Sequence, residues 1–482
     1  MMNSHARSEG CKRSRTQSIG LILLVLTLVS LAGCGGSSSS NPGNNSNPST
    51  AALQVNVGDD PCDRVAALVL NITSVTLTNS AGGTVAVVTS PTAVEFMHLM
   101  GSLQSLSLLN VPRDTYAKAT ISIASATATY LSPATGQLAR QTITGPWNVG
   151  ITFNSPLIVS SDSVALNLHL DVEHSISIDG GGNLVFTPVF TAEMFHGGSN
   201  GNHDHQYGGL DHVTGTVTSI SGSSFVLTMM QSSQAVTVHT DSHTEFDRLG
   251  GIGAMVVGMI VMVDADMQSD GSLLAREVRL TEHDSNGMQA EGLIVSVAGS
   301  PATQLALIAH DGDGSGMSHD DMGGTITVNL DSNTVFSIDT GHVDLTGLPF
   351  TPAFSASSVF KGQAVEVVSS TGMSHDGGED HQGMHHGTVS AASEVRLEEQ
   401  GSRGVVANYS ANGTQGTFTL TVAPDSLFAN LTGTTSITVY QQAGTELWGM
   451  SSLTNGATVE VHGMLFVNSG SYSLVASRIA EH

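Results

Sequence analysis

The sequence predicts an all-β protein in which a strand-rich N-terminal region is followed by three copies of a smaller barrel. Two observations carry that reading. Short alternating runs of Thr, Val, Ile and Ser, cut by Gly, Asn, Asp and Pro, fill the first third of the chain, as antiparallel strands require. Beyond them, four landmarks recur three times in the same order, which marks an internal repeat.

The chain opens on Arg7, Lys12, Arg13 and Arg15, an apolar run from Ile19 to Leu31, and the tetrapeptide Leu31-Ala32-Gly33-Cys34. This is the pattern of a bacterial lipoprotein signal peptide over 1–33, with cleavage before Cys34 and acylation of its thiol. The apolar run is shorter than the roughly 20 residues a membrane span needs. Several acyl chains make a stable anchor where one is marginal. Gly35 follows the cysteine where an inner-membrane retention signal would place Asp, so the expected location is the outer membrane, lipid-anchored and facing the periplasm or the outside. Residues 34–51, Gly/Ser/Asn-rich and without a large apolar side chain before Leu53, read as a flexible tether.

Residues 52–195 carry the alternating runs, among them Ala66 to Ile72, Val75 to Leu77, Thr84 to Val88, Ala119 to Ile123 and Ala165 to Leu170. The one segment read as helical is Phe96 to Leu109. A Gly/His linker, 196–211, leads to the repeats at 212–283, 288–399 and 402–482. Their landmarks are a Gly entering a strand (Gly215, Gly292, Gly404), a Thr-x-apolar triplet (Thr244, Thr334, Thr445), Gly-x-x-Val-x-Val (from Gly258, Gly362, Gly456) and Ala-x-x-Val/Ile (from Ala275, Ala392, Ala476). The second copy is the longest. Its extra length is assigned to loops, since strands sharing a register cannot absorb it. The Val-x-Val alternation points to small closed or nearly closed barrels of five or six strands.

Residues 52–195 resemble the domain of unknown function family 4382 of bacterial lipoproteins. The resemblance lies in the opening Leu53 to Pro61, the Val111-Pro112-Arg113-Asp114-Thr115-Tyr116 turn and the closing Leu184 to Phe190, with Asp60 and Asp114 departing from the family's small residue and glycine. It implies a β-sandwich without assigned catalytic residues. The three repeats resemble the domain of unknown function family 5666, which implies barrels like the oligonucleotide/oligosaccharide-binding (OB) fold.

Histidine outnumbers the basic residues, with 20 His against 15 Lys and Arg, and clusters in the linker and the second repeat. Met-Ser-His-Asp occurs at 317–320 and at 373–376, in stretches read as hairpin loops. Imidazole suits copper(II), nickel(II) and zinc, and thioether suits copper(I). The candidate metal ligands are His203, His205, His319, His375, His381, His385, His386, Met317, Met373 and Met384. There is no Cys pair and the glycines leave the ligands unorganised, so weak binding of Cu, Ni or Zn is expected and no cofactor is required. The run from Asp311 to Gly316 begins like a calcium loop, but its twelfth position is Met322 rather than Glu, which argues against Ca. His98, His169, His174, His239, His243, His342 and His462 are read as ordinary strand-associated positions.

The formal net charge is −26. That argues against nucleic acid as a partner and favours cations. Cys11 leaves with the leader and Cys34 is acylated, so Cys62 has no partner for an intramolecular disulfide and reads as a small half-buried residue. No nucleophile elbow, His-Glu-x-x-His, phosphate loop or dinucleotide fingerprint is present. The expectation is a non-enzymatic envelope scaffold, built as a string of β modules and interacting with an envelope protein. The alternatives are a metal-binding protein and a glycan-binding module, the last weakened by the presence of only Trp147 and Trp448.

Overall fold

The computed structural model describes residues 50–481 apart from 61–62, 100–102, 133–134, 161–163, 180, 182, 197–208, 231–233, 269–271, 282–286, 315, 319–320, 342, 376–385 and 469. The Thr- and Val-rich alternation of the N-terminal region resolves into two sheets face to face. One has the strand order Phe190–His196, Val164–Asp171, Thr50–Asp60, Gln104–Pro112. Thr50–Asp60 runs parallel to Val164–Asp171 and antiparallel to Gln104–Pro112. The other has the order Thr84–Val88, Val65–Asn79, Asp114–Leu131, Leu138–Val159, with Thr92–Glu95 also paired to Val65–Asn79. Leu53, Val55, Leu166 and Leu168 from the first sheet meet Leu70, Ile72, Ile121 and Ile123 from the second, all with 1% exposure or less. Alternation along each strand puts these residues on the inner faces of a β-sandwich.

Two details of this sandwich show why the sequence reads as it does. At the Val-Pro turn, buried Tyr116 donates its hydroxyl to the carbonyl of Pro112 at 2.9 Å, and Asp114 accepts from Asn79 Nδ2 at 2.6 Å, so the turn is pinned from both sides. The helical reading of Phe96 to Leu109 is corrected. Met97 to Leu99 form a turn and Gln104–Pro112 is a strand. Glu95 accepts from the backbone N–H groups of Leu68, Met97 and His98 at 2.7, 3.1 and 2.9 Å. The edge of Thr50–Asp60 then offers the following segment a ladder of hydrogen bonds that outweighs its helical propensity.

The remainder folds as three barrels with one pairing order. The first has strands Gly209–Ser221, Ser224–Met229, Ala235–His239 continued by Glu245–Asp247, Ile260–Met267 and Leu273–Leu280. Its first strand pairs with the second and fourth, the third runs parallel to the fifth, and the fourth pairs with the fifth. In the second the strands are Met288–Gly299, Ala302–Gly314, Thr325–Asn329 with Val335–Ile338, Ala364–Ser369, and His386–Val389 with Glu394–Leu397, in the same order. The third is a closed barrel of Gln400–Asn412, Gln415–Thr421, Ser436–Trp448, Thr458–Asn468 and Ser471–Glu481. This order, 1-2-3-5-4 with parallel third and fifth strands, is OB-like.

The landmarks are the contacts that close the barrels. Thr244, Thr334 and Thr445 donate Oγ1 to the carbonyls of Ala275, Ala392 and Ala476 at 2.8, 2.8 and 2.7 Å, tying the bend in the third strand to the fifth. The same oxygens accept from the backbone N–H groups of Asp241, Asp331 and Gln442, three residues earlier. Gly258, Gly362 and Gly456 sit at φ of 97°, 94° and 91° and donate N–H to Val217, Ile294 and Val406, each at 2.8 Å. A β-carbon at those angles is strained. Gly215, Gly292 and Gly404 lie where the first strand crosses the second, and a β-carbon there would strike the backbone carbonyls of Thr228, Ile308 and Thr421.

The modules are not strung out. Met464, Phe466 and Val475 of the third barrel join the core of the second, and Ala165 of the sandwich joins that of the first. Arg140 Nη2 donates to the Met322 carbonyl at 3.0 Å, Thr129 to the Gly323 carbonyl, and Leu427 N to the Asp63 carbonyl at 2.6 Å. Arg279 of the first barrel meets Asp339 of the second at 2.8 Å. The expected string is corrected to one body, because neighbouring modules bury apolar surface and satisfy one another's carbonyls.

Thr334→Val keeps shape and loses both hydroxyl bonds, so a cost of about 1–2 kcal/mol is expected in urea unfolding. Gly292→Ala, which drives a β-carbon onto a backbone carbonyl, is expected to cost more than Thr334→Val in the same measurement.

Candidate functional site

Of the residues singled out as metal ligands, His375, His386, Met317 and Met373 are described. Cys34, His203, His205, His319, His381, His385 and Met384 lie outside the described residues, as does Cys62. His375 is on a two-residue strand, Ser374–His375, paired to Thr388 and Gly387. Its Nε2 is 2.8 Å from Asp321 Oδ1, while Asp321 Oδ2 accepts from Ser318 N and Oγ, both at 2.8 Å. Met373 is buried in the second barrel's core and Met317 packs against that core, so these two thioethers serve packing. His386 begins a core strand and is half-buried. Among the described residues no three His, Cys, Asp or Glu side chains gather as a metal-holding group.

The run that begins like a calcium loop at Asp311 is strand as far as Gly314. Ala302–Gly314 is one strand paired along its length with Met288–Gly299, so His310 and Asp311 project from a rigid ladder. His310 Nε2 lies 2.8 Å from the Ala66 carbonyl of the sandwich. The burial of the Ala66 and Leu427 side chains at this seam fixes that register.

His310 lines a cavity of about 160 Å³ where the sandwich, second barrel and third barrel meet. Its apolar wall includes Met97, Leu293, Leu427, Phe428 and Leu431, and its polar wall Asp63, His98, Glu291, Glu398, Glu399 and Arg403. Three of these groups have partners, as does the neighbouring Gln400. His98 Nδ1 is 3.2 Å from Glu95 Oε2, Arg403 Nη1 donates to Glu173 Oε2 at 2.8 Å, and Glu399 accepts from Ser477 Oγ. Gln400 accepts from Ala364 N at 2.9 Å and donates to the Gly362 carbonyl at 2.8 Å. Glu398 differs: its Oε1 is buried without a hydrogen-bond partner.

Electrostatics follow from this burial. Desolvation pushes the Glu398 carboxyl well up, and the charges of Glu366, Asp339 and Glu291 push the same way against Arg279. Desolvation likewise takes Asp63 up to about 6, opposed by Arg403. For His98, burial alone would lower the pKa, but the hydrogen bond and charge of Glu95, with Asp311 and Glu291, lift it to about 9. For Glu95, burial would raise it, but His310, His98 and the backbone N–H groups hold it low. Glu95 and His98 therefore form an ion pair at neutral pH. The sequence read His98 as ordinary. Glu95, three residues earlier, is a local partner, but the burial of the pair and the charges of Asp311 and Glu291 come from the second barrel, where the local sequence does not show them.

The family model described as "Domain of unknown function (DUF5666)" matches residues 214–279, the body of the first barrel. No curated protein matches the chain. Solved structures that match include a deletion mutant of the single-stranded DNA binding protein from Thermus aquaticus, 13% identical, covering 41% of this chain and 94% of that one at a TM-score of 0.15. The wild-type protein from the same organism matches at 13% identity, covering 41% and 92%, with a TM-score of 0.14. The exclusion of nucleic acid read from net charge is corrected: these matches are to DNA-binding proteins, and a whole-chain charge does not describe any one face. At such TM-scores the likeness carries no argument for binding.

A His98 pKa raised from 6.5 to about 9 contributes stability that is complete below about pH 6.5 and is lost as pH rises through 9. His98→Asn is therefore expected to be less stable than the unaltered chain at pH 6, by an amount on the order of 2 kcal/mol. The gap should narrow as the pH is raised through 9, read by urea unfolding across that range.

Proposed function

We propose that this chain is a non-catalytic lipoprotein of the bacterial outer membrane, in which a lipid on Cys34 and a polar tether present a rigid β body as an interaction scaffold. The observation that carries the reading is the leader: basic residues, the Ile19–Leu31 apolar run and Leu31-Ala32-Gly33-Cys34, followed directly by a polar, Gly/Ser/Asn-rich stretch. The architecture is consistent with it. A scaffold needs surfaces held in fixed relation, and the buried seams between modules supply that rigidity. We further propose that the second and third barrels are copies of the family matched by the first, since Thr334 and Thr445 make the contact that Thr244 makes.

Cells fed radiolabelled palmitate should incorporate label into the chain and hold it in the membrane fraction. Cys34→Ser should lose both the label and the membrane association. Labelling that survives this substitution would refute the anchor.

One observation favours a second, metal-binding reading. His375 has Nε2 against the Asp321 carboxylate, the arrangement by which a carboxylate orients a ligating imidazole and leaves Nδ1 as the donor. Its side chain is 41% exposed. Titration with Cu(II), Ni(II) and Zn(II) is expected to give weak uptake that falls in His375→Ala, and uptake unchanged by that substitution would remove His375 from the reading.

A further inference from the structure

The outer face of the second barrel carries a row of charges that the barrel by itself leaves unbalanced. Val365 and Val367 point into its core, so Glu366 between them points outward, yet it is only 3% exposed. Directly opposite Glu366 lie Arg396 on one neighbouring strand and Glu291 on the other, and opposite Glu291 on its far side lies Asp311. All three pairings are antiparallel, so the row Arg396, Glu366, Glu291, Asp311 crosses four strands with three carboxyl groups in succession. Its one guanidinium, on Arg396, contacts Glu366 and is shared with Glu394 at 3.1 Å. Like charges directly opposite one another in a sheet are destabilising, the more so where water is excluded. Glu398, just past the end of the Arg396 strand, adds a further carboxyl whose Oε1 is buried.

The remaining counter-charges belong to other modules. From the sandwich, His98 faces Asp311 and Glu291; it is paired with Glu95, which His310 also faces. From the first barrel, Arg248 and Arg279 face Glu366. Arg279 reaches Asp339 of the second barrel at 2.8 Å while holding Glu277 and Asp247 of its own barrel, each at 3.2 Å. The row is therefore balanced only while sandwich and first barrel are closed on it, and retained protons complete the balance. Desolvation, with Glu291, pushes the Glu366 carboxyl up even though Arg248 and Arg279 face it. Burial and the charges of Glu366, Asp339 and Glu291 do the same to Glu398, against Arg279. His98 keeps its proton to about 9.

We propose that this junction is a seam opened by alkali: the second barrel closes on the sandwich and the first barrel while the row holds its protons, and parts from them, each module still folded, as the protons leave. All three titrating groups act in the same direction. Exposed to water, a glutamate releases its proton near about 4.3 and a histidine near about 6.5, so above neutrality an opened junction has released protons that the closed one retains. Each of these groups therefore favours the closed seam fully at low pH and ceases to do so as the pH rises through its closed-state value, about 9 for His98. With two or more protons released per opening, the ratio of open to closed molecules rises about a hundredfold or more per pH unit.

Small-angle X-ray scattering of the purified full chain from about pH 6 to about pH 9.5, with far-UV circular dichroism on the same samples, tests this. The radius of gyration is expected to grow reversibly across the range while the strand signal stays unchanged, with a pH slope of about two protons or more. Glu398→Gln puts an amide of the same shape in place of a protonated carboxyl and should lower that slope by about one proton. Glu291→Gln removes the charge at the middle of the row and should move the opening to higher pH. A radius that does not change, growth accompanied by loss of the strand signal, or a slope of fewer than about two protons overturns the proposal on the unaltered chain alone. An opening that keeps its slope in folded Glu398→Gln, or its midpoint in folded Glu291→Gln, overturns it as well.

Discussion

In each barrel the third and fifth strands lie parallel, and a parallel pair cannot be joined by a tight turn, so something other than the connection must hold them in register. The hydroxyl of one threonine does this, donating across to the alanine carbonyl of the fifth strand while accepting a backbone N–H three residues earlier. Around it the other landmarks fall into place. A left-handed glycine returns its N–H to the first strand, and a second glycine lets the first and second strands cross without a β-carbon between them. Every larger feature, from the modules' mutual packing to the cavity, presupposes barrels closed in this way.

Closed barrels have no free sheet edge and can pack against one another through their outer faces and ends. Here those contacts are partly apolar and partly ionic. Met464, Phe466 and Val475 extend one barrel's core into the next, while Arg279 with Asp339 and Arg403 with Glu173 cross seams as charge pairs. Such pairs contribute modestly at an exposed surface and more where water is excluded, yet their desolvation is costly, so their clearest effect is to fix the relative placement of modules. The seam between sandwich and second barrel buries Glu95 and half-buries His98, with the backbone N–H groups of Leu68, Met97 and His98 holding the carboxylate. The acidic character of the adjoining cavity comes from Asp63, Glu291, Glu398 and Glu399, which line it.

Much of this was legible along the chain, and what was not legible has a common cause. Strand alternation and landmark glycines depend on neighbours a few residues away or on a fixed local geometry, so they leave a periodic trace. The helical reading of Phe96 to Leu109 failed because the deciding partner of that segment is Thr50–Asp60, about fifty residues away in sequence. The run from Asp311, which begins like a calcium loop, was misleading for the same reason: as far as Gly314 it is strand, because Met288–Gly299 pairs with it. Met317 and Met373 sit in a stretch with the composition of a metal-binding loop, yet they turn inward, where a thioether fills apolar space.

By itself, the sequence determined the all-β class, the repeated barrel plan and the polar, acidic character of the chain, because periodicity, left-handed glycines and composition are properties of short segments. Only the tertiary structure decided that the modules pack as one body and that Asp63, His98, Glu291, Glu398 and Arg403 share a cavity. Those residues belong to separate modules, and burial, the hydrogen-bond partner a carboxylate finds and the charges that shift its pKa are all set by groups brought close in space from distant points on the chain.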